Sequence, residues 1–228
     1  KLKRLGPQII SIGGGEPLLH PDIIEIVKIL AKDHFPVMIC NGWYMTPELA
    51  RSLFSAGIHE ISISIDYIDK SKHDRQRNMP GAFERGTEAL KMLNENRVSP
   101  HQRVHMISVV MDDNIADIEY LIKLSREMGI TYLVTLYSSC RGEKDPRCST
   151  TDISSAMLSL KKKYPEFVAL RGYLRRFTEA VREKGAAPCY AGKNLMNIDS
   201  RGSVTFCIDN LDNPAGNIFT DDIFDIQN

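Results

Sequence analysis

Short β-branched runs alternate with amphipathic stretches through the first two thirds of the chain, at spacings of roughly 25 to 45 residues. The runs 9–12, 37–40, 60–65, 104–110 and 132–136 read as strands. Helical patterns lie between them, with recognisable starts and stops. Ile23, Ile24, Ile26, Val27, Ile29 and Leu30 form a broad apolar face on a first helix that opens near Pro21. Thr46 caps a second, Pro47 takes its first turn and Gly57 ends it. Residues 81–96 hold a third. A fourth presents Ile118, Leu121, Ile122 and Leu124, with Asn114 at its cap and Gly129 at its stop. Strands separated by helices pair in parallel through right-handed crossovers. Mostly apolar strands such as 104–110 suit a sheet covered on both faces. The pattern predicts an α/β fold.

In such folds ligands bind at the carboxyl ends of the strands. Those ends carry Gly14, Gly15 and Glu16, then Asn41 and Gly42, then Ser64 and Asp66, then 111–114, then 137–139. The run Gly13-Gly14-Gly15-Glu16-Pro17 brings bare backbone and one carboxylate to that rim. Such an edge suits a ligand with an ammonium group, which needs acceptors. A glycine run also serves in a tight turn, and Asn41 and Asn114 also suit turns and caps. Ser62, Ser64 and Asp66 alternate with isoleucines, so they share one strand face, the interior face of a barrel.

Composition narrows the function. Lys plus Arg and Asp plus Glu balance at 29 each, so charge does not point to nucleic acid or an anionic membrane. No apolar run approaches the ~20 residues that span a bilayer, and no signal peptide is visible. Five cysteines, an odd number, argue against a disulfide framework and for a reducing, cytoplasmic setting. Both ends read as cut: 1–6 as the tail of a helix, 221–226 as the opening turn of a further element.

With these motifs in place, the chain resembles the radical S-adenosylmethionine (radical SAM) superfamily. Residues 14–22 resemble its GGEP motif, and Cys40-Asn41-Gly42 and Ile63-Ser64-Ile65-Asp66 resemble the ends of its third and fourth strands. His73-Asp74-Arg75-Gln76-Arg77, followed by 80–83, resembles a segment of the peptide-modifying members, and Val109-Val110 with Asn114-Ile115 the fifth strand and its exit. The resemblance implies a partial (β/α)6 TIM-like barrel, with five of six strands present and the first lying before Lys1. It also implies a [4Fe–4S] cluster on a C-x3-C-x2-C loop and reductive cleavage of S-adenosylmethionine to a 5′-deoxyadenosyl radical. By position, Gly14, Gly15 and Glu16 would receive the methionyl amino group. Ser64 and Asp66 would face the carboxylate and ribose, with Asn41, Arg77 and Asn114 near the same ligand. No C-x3-C-x2-C occurs in residues 1–228, and its place would be upstream of Lys1. The chain alone is therefore not expected to make the radical.

Cys189 and Cys207 stand in a C-x12-G-x4-C pattern, with a hairpin and a glycine-containing turn between them. This resembles the opening of the SPASM and twitch extensions, where both cysteines ligate an auxiliary iron–sulfur cluster. The expected divisions are a barrel over 1–150, a helical connection over 151–187 and the small cysteine region over 188–228. Cys40 reads as an inert core thiol, and Cys140 and Cys148 match no metal spacing. His20 and His73 read as loop supports, and Trp43 either lines the pocket or covers the barrel mouth. The leading expectation is a radical SAM enzyme acting on a peptide or protein, with a small-molecule substrate next. Its electron donor would be one such as ferredoxin or flavodoxin. The competing readings are a cluster-less binding or scaffold relative, and an iron-independent β/α-barrel enzyme using Glu16 and Asp66 as acid–base carboxylates.

Overall fold

The computed structural model describes residues 1–137, 152–182, 190–208 and 210–227. Cys140, Cys148, Thr151, Pro188 and Cys189 lie outside the described residues. Five parallel strands form one sheet in sequence order: β1 (Ile9–Ile12), β2 (Phe35–Cys40), β3 (Glu60–Ser64), β4 (Arg103–Val110) and β5 (Thr131–Leu136). The crossovers are α1 (Ile23–Leu30), α2 (Pro47–Ser55), the pair α3 (Lys70–Arg77) and α4 (Ala82–Glu95), and α5 (Ile115–Glu127). Strand–helix alternation thus produces the α/β sheet expected from the sequence. Its five strands match the expected number, in the expected order.

The alternation of β3 explains the layering. Ile61 and Ile63, with Ile65 just beyond the strand, are fully buried and pack with Phe83, Leu90 and Leu93 of α4. Ser62 and Ser64 point to the opposite, interior face. At Gly86 of α4 an added Cβ would meet Ile63 and Ile65 at 3.5 Å, ordinary van der Waals contact, so the helix packs directly on β3 there.

Three local readings change. The first helix begins at Ile23 behind Asp22, not at Pro21, which sits in the preceding turn. The helix α3 was not apparent as a helix, because it is polar almost all round and buries only His73; caps stabilise it instead. Asp69 accepts the Lys72 N–H at its start, and Asn78 ends it in the left-handed conformation (φ 50°). Asn114 occupies the N-cap position of α5, but its side chain makes no capping bond.

Beyond β5 come α6 (Ile153–Lys163), α7 (Arg171–Leu174) and α8 (Phe177–Arg182). Asp152 caps α6 by accepting the Ser155 N–H at 3.1 Å. These helices bury Met157, Leu174 and Phe177 in the same core as the barrel. Phe167 makes a parallel bridge to Tyr132, so the segment after α6 lies along the free side of β5. A separate small sheet combines β6 (Asn197–Ile198), β7 (Ser203–Thr205) and β8 (Gly216–Asn217), all antiparallel. Gly202 sits in its turn with φ +80°, and a Cβ there would lie 2.5 Å from the Phe219 ring. Val204, Ile223 of α9 (Ile223–Gln227) and Ile226 form its core, and Leu5 of the N-terminal 3₁₀ turn packs on it. Arg4 donates to Asp222 at 2.5 Å across the same junction.

Candidate functional site

A cleft of about 1610 Å³ opens at the carboxyl ends of the first three strands, and its far wall is the small C-terminal sheet. Gly13, Gly14, Gly15 and Glu16 form one lip, with Asn41, Trp43, Ser64, His73 and Arg77 beside them. Met196, Ile198 and Arg201 face them from the other side.

The glycine lip is open by composition. Side-chain carbons added at Gly13, Gly14 or Gly15 would meet nothing within 4 Å, and Gly14 adopts φ +123°, which disfavours any other residue. Exposed, bare backbone thus lines the cleft here. Glu16 then fixes the lip. One carboxylate oxygen accepts the Leu18 N–H at 3.1 Å, capping the 3₁₀ turn Pro17–Leu19. The other accepts the Asn41 N–H at 2.8 Å, and Asn41 Oδ1 accepts the Trp43 N–H at 2.8 Å. One carboxylate therefore ties the ends of β1 and β2 together. Each of its oxygens retains a lone pair for a further donor.

A second polar group lies one strand over. Asp66 is fully buried; its Oδ1 accepts the Val109 N–H at 2.8 Å and its Oδ2 accepts from Arg77 Nη2 at 2.6 Å. Arg77 is about 29% exposed and lines the cleft, so the ion pair presents a braced guanidinium to it. Its Nε is buried, with no hydrogen-bond partner among the described residues. His73 accepts the Asp66 N–H on Nδ1 at 3.2 Å, which requires that nitrogen to be unprotonated. Burial drives the His73 pKa below the ordinary histidine value, against the raising pull of Asp66. Asn114 uses its whole side chain behind this group. Its Nδ2 donates to Asp66 O at 2.9 Å and Val109 O at 2.8 Å, and its Oδ1 accepts the Met111 N–H at 2.8 Å.

Of the residues singled out in the sequence, Gly14, Gly15, Glu16, Asn41, Ser64 and Arg77 share the cleft wall. Asp66 and Asn114 stand behind it as braces. His20 accepts the Asp22 N–H and so supports its own loop, as His73 supports another. Cys40 is buried, and burial together with the nearby Glu16 charge pushes its thiol pKa far up, which leaves it an inert thiol. Cys207 is a half-buried free thiol next to the cleft-lining Ile208, whereas its expected partner Cys189 lies outside the described residues. Two supports have roles that the sequence did not assign. Arg85 of α4 donates from Nε to the Trp43 carbonyl at 2.9 Å, and Asp74 accepts the Gly81 and Phe83 N–H groups at the start of α4. Both act across turns whose geometry appears only on folding.

The family model for the Radical SAM superfamily matches residues 1–125. The chain belongs to the radical SAM superfamily. It is similar to the AdoMet-dependent heme synthase of Methanosarcina barkeri, at 32% identity over 151 residues, covering 65% of this chain and 42% of that protein. The mycofactocin maturase MftC of Mycobacterium tuberculosis is 30% identical over 144 residues, 62% of this chain and 36% of the maturase. In fold it is similar to Streptococcus suis SuiB, solved bound to the precursor peptide SuiA, with TM-score 0.72 and 16% identity over 96% of this chain and 53% of SuiB. The chain thus spans about half the length of these relatives or less. The radical SAM family uses S-adenosylmethionine and a [4Fe–4S] cluster. The lip fits the first: exposed backbone and Glu16 stand on the same wall as an arginine whose buried Nε has no hydrogen-bond partner among the described residues. For the second, among the described residues no three His, Cys, Asp or Glu side chains converge as metal ligands. Among the described residues no helix is long and apolar enough to cross a membrane.

Proposed function

We propose that this chain forms the S-adenosylmethionine seat of a radical SAM enzyme that modifies a peptide or protein. The observation that carries the reading is the shared wall of Glu16 and Arg77. A zwitterionic amino acid group needs acceptors for its ammonium and a donor fork for its carboxylate. Glu16, with the carbonyl groups of Gly14 and Gly15, supplies the first; Arg77, with Ser64, supplies the second. Asp66 holds the guanidinium in place, and Asn114 and His73 hold Asp66. Asn41 links the lip to the neighbouring strand end. When bound, S-adenosylmethionine supplies the family's reductive carbon–sulfur cleavage, with electrons from a donor such as ferredoxin or flavodoxin. The protein's part is to orient the ligand and to keep water from the cleft.

The peptide substrate is supported by the fold shared with SuiB over 96% of the chain, and by the similarity to the MftC maturase. A small molecule is the second reading, favoured by the heme synthase relative. Cys189 and Cys207 are the proposed ligands of an auxiliary iron–sulfur cluster. The test is anaerobic reconstitution of the full-length protein with iron and sulfide, followed by reductant and S-adenosylmethionine. Formation of 5′-deoxyadenosine supports the reading; its absence from a reconstituted, iron-loaded sample removes it.

A further inference from the structure

Trp43 is the single tryptophan of the chain, and it stands half-buried on the cleft wall beside Glu16, Asn41 and Arg77. Three independent constraints hold its backbone. Its N–H donates to Asn41 Oδ1 at 2.8 Å, and Asn41 in turn donates its own N–H to Glu16. Its carbonyl accepts from Arg85 Nε at 2.9 Å, while Arg85 Nη2 reaches the Met45 carbonyl at 3.3 Å. Gly42 is buried with φ +79°, and a Cβ on it would stand 2.8 Å from the Ala89 Cβ of α4. The turn is thus pressed onto α4, and the backbone that carries the ring is held on both sides. A half-exposed indole on so rigid a turn is pre-organised for contact with a ligand, since little further ordering is needed on binding.

We propose that Trp43 is a binding residue for the amino acid end of the cofactor, and that Arg85 is the positioning residue that holds it there. This rests on the seat proposed above. The hydrogen-bond chain from Glu16 through Asn41 places Trp43 next to the group that takes the ammonium, and an indole face attracts a positive centre.

The test uses the emission of the sole tryptophan in the 228-residue chain. Titrations employ S-adenosylmethionine, L-methionine and 5′-deoxyadenosine, with binding followed in parallel by calorimetry. S-adenosylmethionine and millimolar L-methionine are expected to shift the emission saturably, and 5′-deoxyadenosine to leave it unchanged. Trp43→Ala should weaken S-adenosylmethionine about fivefold with an unaltered melting temperature, and Trp43→Phe should restore most of the affinity. Arg85→Gln should increase iodide quenching of Trp43 and weaken L-methionine, a change that a purely structural role in α4 would not produce. Calorimetric binding of S-adenosylmethionine with unmoved emission and a Trp43→Ala affinity equal to wild type overturns this inference alone. Emission that responds to 5′-deoxyadenosine and not to L-methionine overturns it too. No binding of S-adenosylmethionine to the wild-type chain overturns the seat itself, and this inference with it.

Discussion

Glu16 accepts the backbone N–H of Asn41 at 2.8 Å, across 25 residues of sequence. That bond fuses the lip after β1 with the turn after β2. It also aims a carboxylate at the cleft without burying it. Glu16→Gln keeps the shape but removes the charge and half the acceptor capacity. Affinity for S-adenosylmethionine should fall about tenfold, as expected when a charge-assisted hydrogen bond becomes a neutral one. Titration calorimetry checks this, and an unchanged dissociation constant would remove Glu16 from the ammonium site.

Asp66 and Arg77 make different predictions from opposite ends of one ion pair. Asp66→Ala leaves the Val109 N–H and the guanidinium without their partner in a buried setting. It should destabilise the fold by about 3 kcal/mol in urea unfolding. Arg77→Gln is the better probe of function, because Arg77 is on the wall and Asp66 is behind it. It should weaken L-methionine and S-adenosylmethionine and leave 5′-deoxyadenosine binding as it was.

Asn114 should behave as structure, not as ligand contact. All three of its hydrogen bonds go to the backbone of residues 66, 109 and 111. Asn114→Ala should cost about 2 kcal/mol of stability, and the folded fraction should bind S-adenosylmethionine with nearly wild-type affinity. A large loss of affinity at full folding would return Asn114 to the cleft.

His73 gives the fold a pH dependence. Its pKa in the folded chain lies below the unfolded value of 6.5 because burial disfavours the cation. The unfolded chain therefore binds the proton first. Stability is complete above about pH 6.5 and falls as pH drops from there toward the lowered folded pKa. Urea unfolding between pH 7.5 and 5.5 should show that decline. His73→Gln, which keeps an acceptor for the Asp66 N–H, should flatten it.

Much of this fold was legible because hydrophobic period and caps agree with each other. The strand at β1 has its expected bounds, and those of β4 and β5 differ by one residue. The capping bond from Leu49 to Thr46 is in place. The helix α3 was not legible, since its stability comes from Asp69, Asn78 and one buried histidine, not from an apolar stripe. At the site, residue type and strand-end position were enough to bring Gly14, Gly15, Glu16, Asn41 and Ser64 to one wall, and the family resemblance added Arg77. They could not separate wall from brace. Asp66 sits two residues after Ser64 on the same strand line, yet its carboxylate turns to Val109 and Arg77. That depends on β3 ending before Val109, which leaves this N–H of β4 for the carboxylate. The contribution of the C-terminal sheet to the cleft was equally hidden, because it follows from packing around Leu5 and Arg4.

The most direct test of the seat is calorimetric titration of the chain with S-adenosylmethionine, in parallel on wild type and Glu16→Ala. The account predicts one saturable site on the wild type and at least a tenfold weaker one on Glu16→Ala, with both proteins folded and melting cooperatively. Equal binding to the two proteins, or none to the wild type, would contradict it.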